Sequence, residues 1–384
     1  MISREILPRV RELARSFPVV TIQGPRQSGK TTLAKMAFPE HLYVNLEDTA
    51  TRRLALADPR GFLEKFPAPA IFDEIQRAPE LMSDLQVEID RRGGNGLYIL
   101  TGSHQPRLME GIAQSQAGRT AFATLLPFSI GELRSAGIGL SRDEYIFSGF
   151  LPAIYDRKQN PVDAYEAYYR TYVERDVRQL VNLSHRNEFE LFVRLLAGRV
   201  GKTVNLQALS GDVGVSSTTL KEWLSVLEAS YIVFRLPPYY NNFGKRFTKA
   251  PKIYFTDVGL AAHLLGLHSV EQVSRDPLLG GLFENLVVLE AVKTQCNAGR
   301  EGRLYFMRDK AGTEIDLVVE NQRKLTFAEI KSAMTPNDDM ASNIRALRRA
   351  TGEGEKAYVV YSGEPWPLSG CDGFVNFRDT ASIL

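Results

Sequence analysis

Gly24-Pro25-Arg26-Gln27-Ser28-Gly29-Lys30-Thr31 is the stretch whose spacing decides how this chain folds. A glycine, four free positions and Gly-Lys-Thr make the phosphate-loop pattern, and the flanks fit it. Val19-Val20-Thr21-Ile22 ahead of it is an apolar run expected to form a buried strand, and Thr32-Leu33-Ala34-Lys35-Met36-Ala37 behind it opens a helix. Strand, glycine-bounded loop and helix N-terminus together cup a polyphosphate: backbone N–H groups converge on the anion and the helix adds its positive partial charge. The expected nucleotide-binding set is Gly24, Pro25, Arg26, Gln27, Ser28, Gly29, Lys30, Thr31 and Thr32. Lys30 would reach the β- and γ-phosphates, and the Thr31 hydroxyl would ligate Mg2+.

The residues downstream supply the other parts that such a loop needs. Leu42 to Leu46 is a second strand, and residues 51–66 alternate apolar and charged positions as a surface helix does. Ala70-Ile71-Phe72-Asp73-Glu74 is a third strand ending in two acids. Asp73 at its carboxyl end can hold Mg2+, directly or through water, and Glu74 can polarise an attacking water. The same pair could instead cap the helix expected over residues 81–91. Leu97 to Leu100 runs into Thr101-Gly102-Ser103-His104, where a polar side chain would sense the γ-phosphate between the two motifs. Ser103 is the first choice and Thr101 the second, against a plain strand-to-loop turn. Arg119 reads either as an arginine finger, in cis or across a subunit interface, or as an ordinary surface arginine. Ile6, Val10, Leu13 and Ala14 give a helix before the first strand, and a strand over residues 121–126 leads to a close near Leu133. Strands alternating with helices predict an α/β domain with a parallel sheet covered on both faces.

Four segments carry a more specific resemblance: Gly24 through Thr32, Phe72-Asp73-Glu74, Leu100-Thr101-Gly102-Ser103, and Leu126-Pro127-Phe128-Ser129 with Glu132-Leu133. They resemble a family of prokaryotic AAA+-type ATPases that carry a characteristic C-terminal domain. The likeness continues through Ser148-Gly149-Phe150-Leu151-Pro152 and Tyr172-Val173-Glu174-Arg175-Asp176 and so spans nearly the whole chain. It implies ATP binding and hydrolysis, with ATP and Mg2+ as cofactors, and raises the prospect of a homo-oligomer.

Composition sets the outer bounds. At 384 residues, two or three domains are expected. A hydrophobic share of 44% with 24% charged residues is that of a globular protein, and no apolar run approaches the ~20 residues that span a bilayer. Net charge is only +2, so any nucleic-acid footprint must be local. Cys296 and Cys371 form no metal-type spacing and no disulfide framework, and the charged first fifteen residues lack the apolar core of a secretory signal. A cytoplasmic protein with no membrane partner is expected.

In the middle of the chain, residues 161–180 read as one long helix whose stripe of Tyr165, Tyr168, Tyr169, Tyr172 and Val173 is core-forming, and residues 189–200 as another. Then come a helix from Val204, a break at Gly211 to Gly214, a second helix capped by Ser216 and Ser217, a strand at 232–236 and a return strand at 252–255. The loop between the strands carries Lys245, Arg246 and Lys249. This is a winged-helix pattern, which either binds DNA or serves as a lid or protein-interaction module. Lys221 balanced by Glu222 on the second helix weighs against sequence-specific readout.

The last segment opens on an apolar helix, residues 282–290, bearing Glu284. A strand at 304–307 precedes a hairpin whose arms are 312–319 and 325–331. Alternation puts Glu314 and Asp316 on one face of the first arm, and Glu329 and Lys331 on one face of the second. Two carboxylates gathered there can hold Mg2+, and a lysine beside them can activate water for phosphodiester cleavage. A charged surface of an α/β domain is the alternative. The order helix-Glu, strand-Asp, strand-Glu-x-Lys resembles the restriction-endonuclease-like superfamily. That resemblance implies Glu284 as the helix acid, Asp316 and Glu329 as metal ligands and Lys331 as the catalytic lysine. A helix at 343–350 and a final strand at 357–361 follow.

The expected division is an AAA+-type P-loop ATPase domain over 1–135, a helical linker or lid over 136–200, a winged helix over 201–270 and a nuclease-like α/β domain over 271–384. Two functions suit it. One is a DNA-associated ATPase whose turnover gates a metal-dependent nuclease-like domain. The other is a nucleotide-driven switch that binds a protein partner, its C-terminal domain catalytically inactive.

Overall fold

The structure is a computed structural model describing residues 1–103, 118–177, 185–239, 250–300, 302–309 and 311–384, with 174–176 described by their backbone alone. His104, Lys245, Arg246 and Lys249 lie outside the described residues. The chain divides into two compact units. The first comprises residues 1–128, 229–231 and 296–300, and the second comprises 129–228, 232–295 and 301–384. By compactness residues 129–135 group with the second unit. Ser129 and Glu132 form a capping box on the helix Ile130–Ser135, and the Ile130 N–H donates to the Glu290 carboxylate at 2.7 Å.

In the first unit, α1 (Leu7–Ser16) precedes β1 (Val19–Gln23), and α2 (Lys30–Ala37) follows the phosphate-loop residues. Next come β2 (Leu42–Asn45), α3 (Thr49–Ala57), α4 (Pro59–Lys65), β3 (Ala70–Asp73), α5 (Leu81–Arg92), β4 (Tyr98–Gly102) and β5 (Thr120–Thr124). The strands form one parallel sheet in the order β2-β3-β4-β1-β5. Helical crossovers make a parallel sheet possible, and its two faces are covered by separate apolar clusters. The surface helix expected over 51–66 is in fact two. Pro59 lacks the N–H to continue α3, and Asp58 both ends α3 and caps α4 through the Gly61 N–H. Since β4 lies between β3 and β1, the polar end of β4 falls between the loop after β1 and the acids after β3.

In the second unit, the expected long helix over 161–180 is an α-helix, α6 (Pro161–Tyr168), continued by a π-helix, Tyr169–Val177. Its tyrosine stripe is buried, as a core-forming face requires. After α7 (Arg186–Ala197) come β6 (Lys202–Thr203), α8 (Leu206–Val213), α9 (Ser217–Ala229), β7 (Val233–Leu236) and β8 (Lys252–Phe255). These strands make an antiparallel sheet with β8 in the middle. The break expected over Gly211 to Gly214 falls at its last residue: α8 runs on to Val213, and Gly214 ends it in a left-handed conformation.

The remainder is α10 (Leu279–Asn297), β9 (Leu304–Arg308), β10 (Glu314–Asn321), β11 (Lys324–Lys331), α11 (Ser342–Thr351), β12 (Lys356–Tyr361) and β13 (Gly373–Asn376). The sheet order is β13-β12-β11-β10-β9, antiparallel across β9, β10 and β11 and parallel across β11, β12 and β13. The hairpin turns on Gln322 and Arg323, both at positive φ (51° and 68°), which is the two-residue turn matching strand twist. β13 was not anticipated. Its four residues, Gly-Phe-Val-Asn, are too short and mixed to show a period.

Candidate nucleotide site and the acid cluster of the second unit

The phosphate loop is shaped by its two glycines. Gly24 sits at φ 149°, and a Cβ built there would lie 2.1 Å from the Leu125 carbonyl oxygen. Gly29, at φ 92°, is the residue from which α2 starts. Lys30, only 5% exposed, curls back so that its ammonium donates to the carbonyls of Gly24 (3.1 Å) and Pro25 (2.7 Å). Burial lowers its pKa to about 8 against the opposing charges of Glu74 and Asp73. Ser28 donates its hydroxyl to the Pro25 carbonyl at 3.0 Å. Arg4 holds the loop from behind. Its guanidinium donates to the carbonyls of Ser28 (2.7 Å) and Leu126 (2.6 Å) and lies 4.9 Å above the Phe128 ring. Nothing in the local pattern around Arg4 distinguishes it from a surface arginine.

Asp73, at the end of β3, collects hydroxyls. Thr31 donates to both of its oxygens (2.9 and 3.0 Å), Tyr43 to one (2.7 Å), and Thr101 to the other. The expected Mg2+ ligands Thr31 and Asp73 are thus adjacent, with the hard oxygen donors such a cation takes. Tyr43 escaped the sequence reading because a tyrosine in a strand looks like packing. Burial, and then its bond to Asp73, push its phenol upward in pKa.

Glu74 adopts a left-handed conformation (φ 59°, ψ 45°), uncommon for a residue with a side chain. Its N–H donates to the Thr101 hydroxyl at 3.3 Å. Burial is the largest cause raising the pKa of its carboxyl. Gln76 links the two candidates by donating both to the Glu74 carboxylate and to the Ser103 hydroxyl, the latter at 3.0 Å. Ser103 and Thr101 therefore divide the position expected of one residue: Thr101 touches Asp73, and Ser103 touches Glu74 through Gln76. Gln76 itself was not anticipated.

Arg119 lies elsewhere. Its carbonyl accepts from the Val19 N–H at the amino end of β1, and its guanidinium pairs with Asp90 at 2.6 Å. The loop is at the carboxyl end of β1, about 17 Å along a strand of five residues. Arg119 thus stands at the opposite end of the sheet from the loop of its own chain.

In the second unit, Glu284 (α10), Glu314 and Asp316 (β10) surround the ammonium of Lys252 (β8) at 2.7, 2.6 and 3.5 Å. Lys252 is 2% exposed. Burial disfavours its charge, but Glu284, Asp316 and Glu314 outweigh that and hold its pKa above the usual lysine value. Tyr254 donates to Glu284 at 2.5 Å, and Asp316 accepts the Ile330 N–H at 2.9 Å. Glu329, also 2% exposed, accepts from Lys331 (2.7 Å) and Asn343 (3.1 Å) through one oxygen, while its other oxygen is buried without a partner. Burial and then the Asp316 charge raise the pKa of Glu284 and of Glu329 alike.

The expected metal set of Glu284, Asp316 and Glu329 does not fit a divalent ion in this arrangement. Among the described residues no group of three His, Cys, Asp or Glu side chains is placed to hold one, and Lys252 stands at the centre of the cluster instead. Lys331, expected to activate water, is kept charged: burial works against the ammonium, but Glu329 and Asp316 prevail. Sequence spacing could not reveal Lys252, which reads as one residue of an ordinary strand.

The chain matches family models for an AAA domain over residues 16–134, a domain of unknown function (DUF8612) over 140–271 and a domain of unknown function (DUF4143) over 279–369. It is 30% identical over 374 residues to the uncharacterized protein Rv2008c of Mycobacterium tuberculosis, covering 95% of this chain and 81% of that one. The uncharacterized protein Mb2031c of Mycobacterium bovis matches with the same identity and coverage. Among solved structures, the Walker-type ATPase PABY2304 of Pyrococcus abyssi aligns at a TM-score of 0.47 and 15% identity, over 69% of this chain and 96% of that one. The RuvB Holliday junction branch migration motor of Thermotoga maritima aligns at 0.32 and 20%, over 62% and 90%. No helix among the described residues is long and apolar enough to cross a membrane. The chain belongs to the family of the mycobacterial proteins Rv2008c and Mb2031c, and its first unit carries an AAA-type P-loop ATPase domain.

Proposed function

We propose that this protein is an ATP-hydrolysing conformational switch that acts on a protein partner, with its C-terminal domain serving as a non-cleaving, nuclease-like scaffold. The observation that carries the ATPase half is the joining of Thr31 to Asp73 beside the buried Lys30, with Glu74 tied to Ser103 through Gln76. Mg2+ held through Thr31 and Asp73 would neutralise charge on the β- and γ-phosphates. Lys30 would exchange the Gly24 and Pro25 carbonyls for phosphate oxygens, and the loop N–H groups would receive the rest of the charge. Glu74, its pKa raised by burial, accepts a proton from the attacking water more readily than an exposed glutamate does. Gln76 gives that carboxylate a route to report on the nucleotide to Ser103 at the end of β4.

Arg119 is paired with Asp90 at the amino end of the strands, so a finger role would require a second copy. For the second unit, the helix, three-stranded antiparallel run, helix and parallel strand support a nuclease-like fold. Glu284 and Asp316 share Lys252, and Glu329 pairs with Lys331 on the same hairpin. The charge of Lys252 among the acids favours the scaffold over cleavage. The near-neutral net charge likewise favours a protein partner over DNA.

The test has two arms. ATP turnover with Mg2+ should be present in the wild type and lost in Asp73→Asn; equal turnover in both contradicts the site. Single- and double-stranded DNA and RNA incubated with Mg2+ or Mn2+ should remain intact. Cleavage that is lost in Asp316→Ala or Lys331→Ala would replace the scaffold with an ATP-gated nuclease. DNA binding with a steep inverse salt dependence would move the partner from protein to nucleic acid.

A further inference from the structure

The acid cluster of the second unit already contains a cation, and that cation is part of the chain. Lys252 is the first residue of β8, the middle strand of its sheet, and its backbone pairs with Thr203 on one side and Leu236 on the other. Its ammonium is therefore fixed in position rather than carried on a loose loop. It enters a cage supplied by other elements, Glu284 from α10 and Glu314 and Asp316 from β10. Oxygen distances of 2.6 and 2.7 Å from a single nitrogen approach those that a hard divalent ion sets with carboxylates, about 2.0–2.6 Å.

The charges in the cage are not balanced. Three carboxylates face one ammonium; the Arg308 guanidinium is 3.7 Å from Glu314, and the Lys331 ammonium is engaged by a fourth acid, Glu329, at 2.7 Å. Next to them the second oxygen of Glu329 is buried and has no donor. Such a group of acids in the interior calls for more positive charge than one lysine brings, and an ion of charge two would supply it. A lysine in that place also blocks the ion: its nitrogen occupies the point where the carboxylates meet, and two cations cannot share it.

We propose that Lys252 stands in for a divalent metal among Glu284, Glu314 and Asp316, so that the native chain takes up no divalent ion there and a chain without the ammonium does. This deepens the scaffold reading of the second unit. It gives a physical reason why the domain would keep a nuclease-like outline without the metal chemistry.

The experiment uses full-length, nucleotide-free protein and Mn2+ as the probe. Mn2+ binding is followed by electron paramagnetic resonance, and the unfolding temperature is measured with and without the ion. The chains compared are the wild type, Asp316→Asn, Lys252→Met, and Lys252→Met with Asp316→Asn. Lys252→Met should bind Mn2+ roughly tenfold or more tightly than the wild type and gain thermal stability from it, and the added Asp316→Asn should remove both effects. The phosphate-loop site is common to all of these chains and cancels in the comparison.

If Lys252→Met leaves its three acids too repulsive to fold without metal, recovery of the fold on adding Mn2+ supports the proposal. If it folds in neither condition, Lys252→Met with Glu314→Gln, carrying one charge fewer, is measured instead and its Mn2+ response decides. A folded variant with no Mn2+ response beyond the wild type overturns the proposal. So does a wild-type chain whose Mn2+ binding is lost in Asp316→Asn. Such Asp316-dependent Mn2+ binding without nucleic-acid cleavage would sink the metal exclusion and leave the scaffold reading standing. Metal-dependent cleavage by the wild type would remove both.

Discussion

Replacing Gly24 with alanine tests how the phosphate loop is held. The added methyl would meet the Leu125 carbonyl oxygen at 2.1 Å, roughly 1.4 Å inside a normal carbon contact. That oxygen has little room to retreat. The Leu125 N–H is bonded to the Gln23 carbonyl at 2.8 Å, and the next carbonyl, of Leu126, is held by Arg4 at 2.6 Å. Overpacking of this kind costs about 1–3 kcal/mol, and forcing a side chain into a backbone region reserved for glycine adds about 1–3 kcal/mol. A loss of about 2–6 kcal/mol is a large share of the ~5–15 kcal/mol that stabilises a domain. Gly29→Ala is the control. Its φ of 92° is also unfavourable, but the nearest atom to the new methyl is the tip of Arg4 at 3.6 Å, so about 1–2 kcal/mol is expected. Both tryptophans, Trp223 and Trp366, lie in the second unit, so a fluorescent ATP analogue bound in the first unit is the better reporter for urea titration. Gly24→Ala should unfold at markedly lower urea than Gly29→Ala and bind the analogue at least ~100-fold more weakly than the wild type. A Gly24→Ala chain within ~0.5 kcal/mol of the wild type, binding nucleotide normally, would refute this account of the loop.

Other consequences are directly measurable. Glu74→Gln should keep nucleotide affinity within a few fold while slowing hydrolysis by about 10²–10⁴, as read by single-turnover phosphate release; retained turnover would remove Glu74 from the chemistry. Lys30 should give nucleotide binding a pH dependence. The free protein holds this lysine at a pKa of about 8, below the ordinary 10.5, so between these values the native state carries fewer protons than the unfolded chain and its stability rises with pH. Phosphate restores the charge, so binding takes up a proton above pH 8 and affinity should fall by up to about tenfold per pH unit; calorimetry in buffers of different ionisation heat checks the uptake, and a flat profile contradicts it. Arg119→Ala should leave the hydrolysis rate of a dilute monomer unchanged within about twofold, whereas a large loss there would mean the arginine reaches its own nucleotide.

The nucleotide loop was legible in the sequence because its chemistry is local. Gly24 to Thr31 dictates a turn, a helix start and an anion site within eight residues, and Asp73 needed only the end of a short apolar run. Residues that reach the site across the sheet were not legible. Tyr43, Gln76 and Arg4 bond to Asp73, Glu74 and the loop through strand order and side-chain direction, which no spacing rule encodes. The place of Arg119 was not legible either: only the parallel pairing of β5 with β1 puts the start of β5 at the amino end of the sheet, away from the loop. In the second unit, alternation correctly placed Glu314 with Asp316 and Glu329 with Lys331 on a hairpin, yet gave no hint that a lysine some sixty residues earlier would fill the acids' centre. A helix limit erred where one residue decided it, at Asp58-Pro59, and the change of backbone from α to π at Tyr169 has no counterpart in the sequence period.

The central claim is that the loop from Gly24 to Thr31 binds and hydrolyses ATP. Its most direct test is phosphate release from ATP with Mg2+ by the purified wild type beside Lys30→Ala, with circular dichroism confirming that both are folded. The account predicts measurable turnover in the wild type and none above background in the variant. Equal turnover in the two proteins would contradict it.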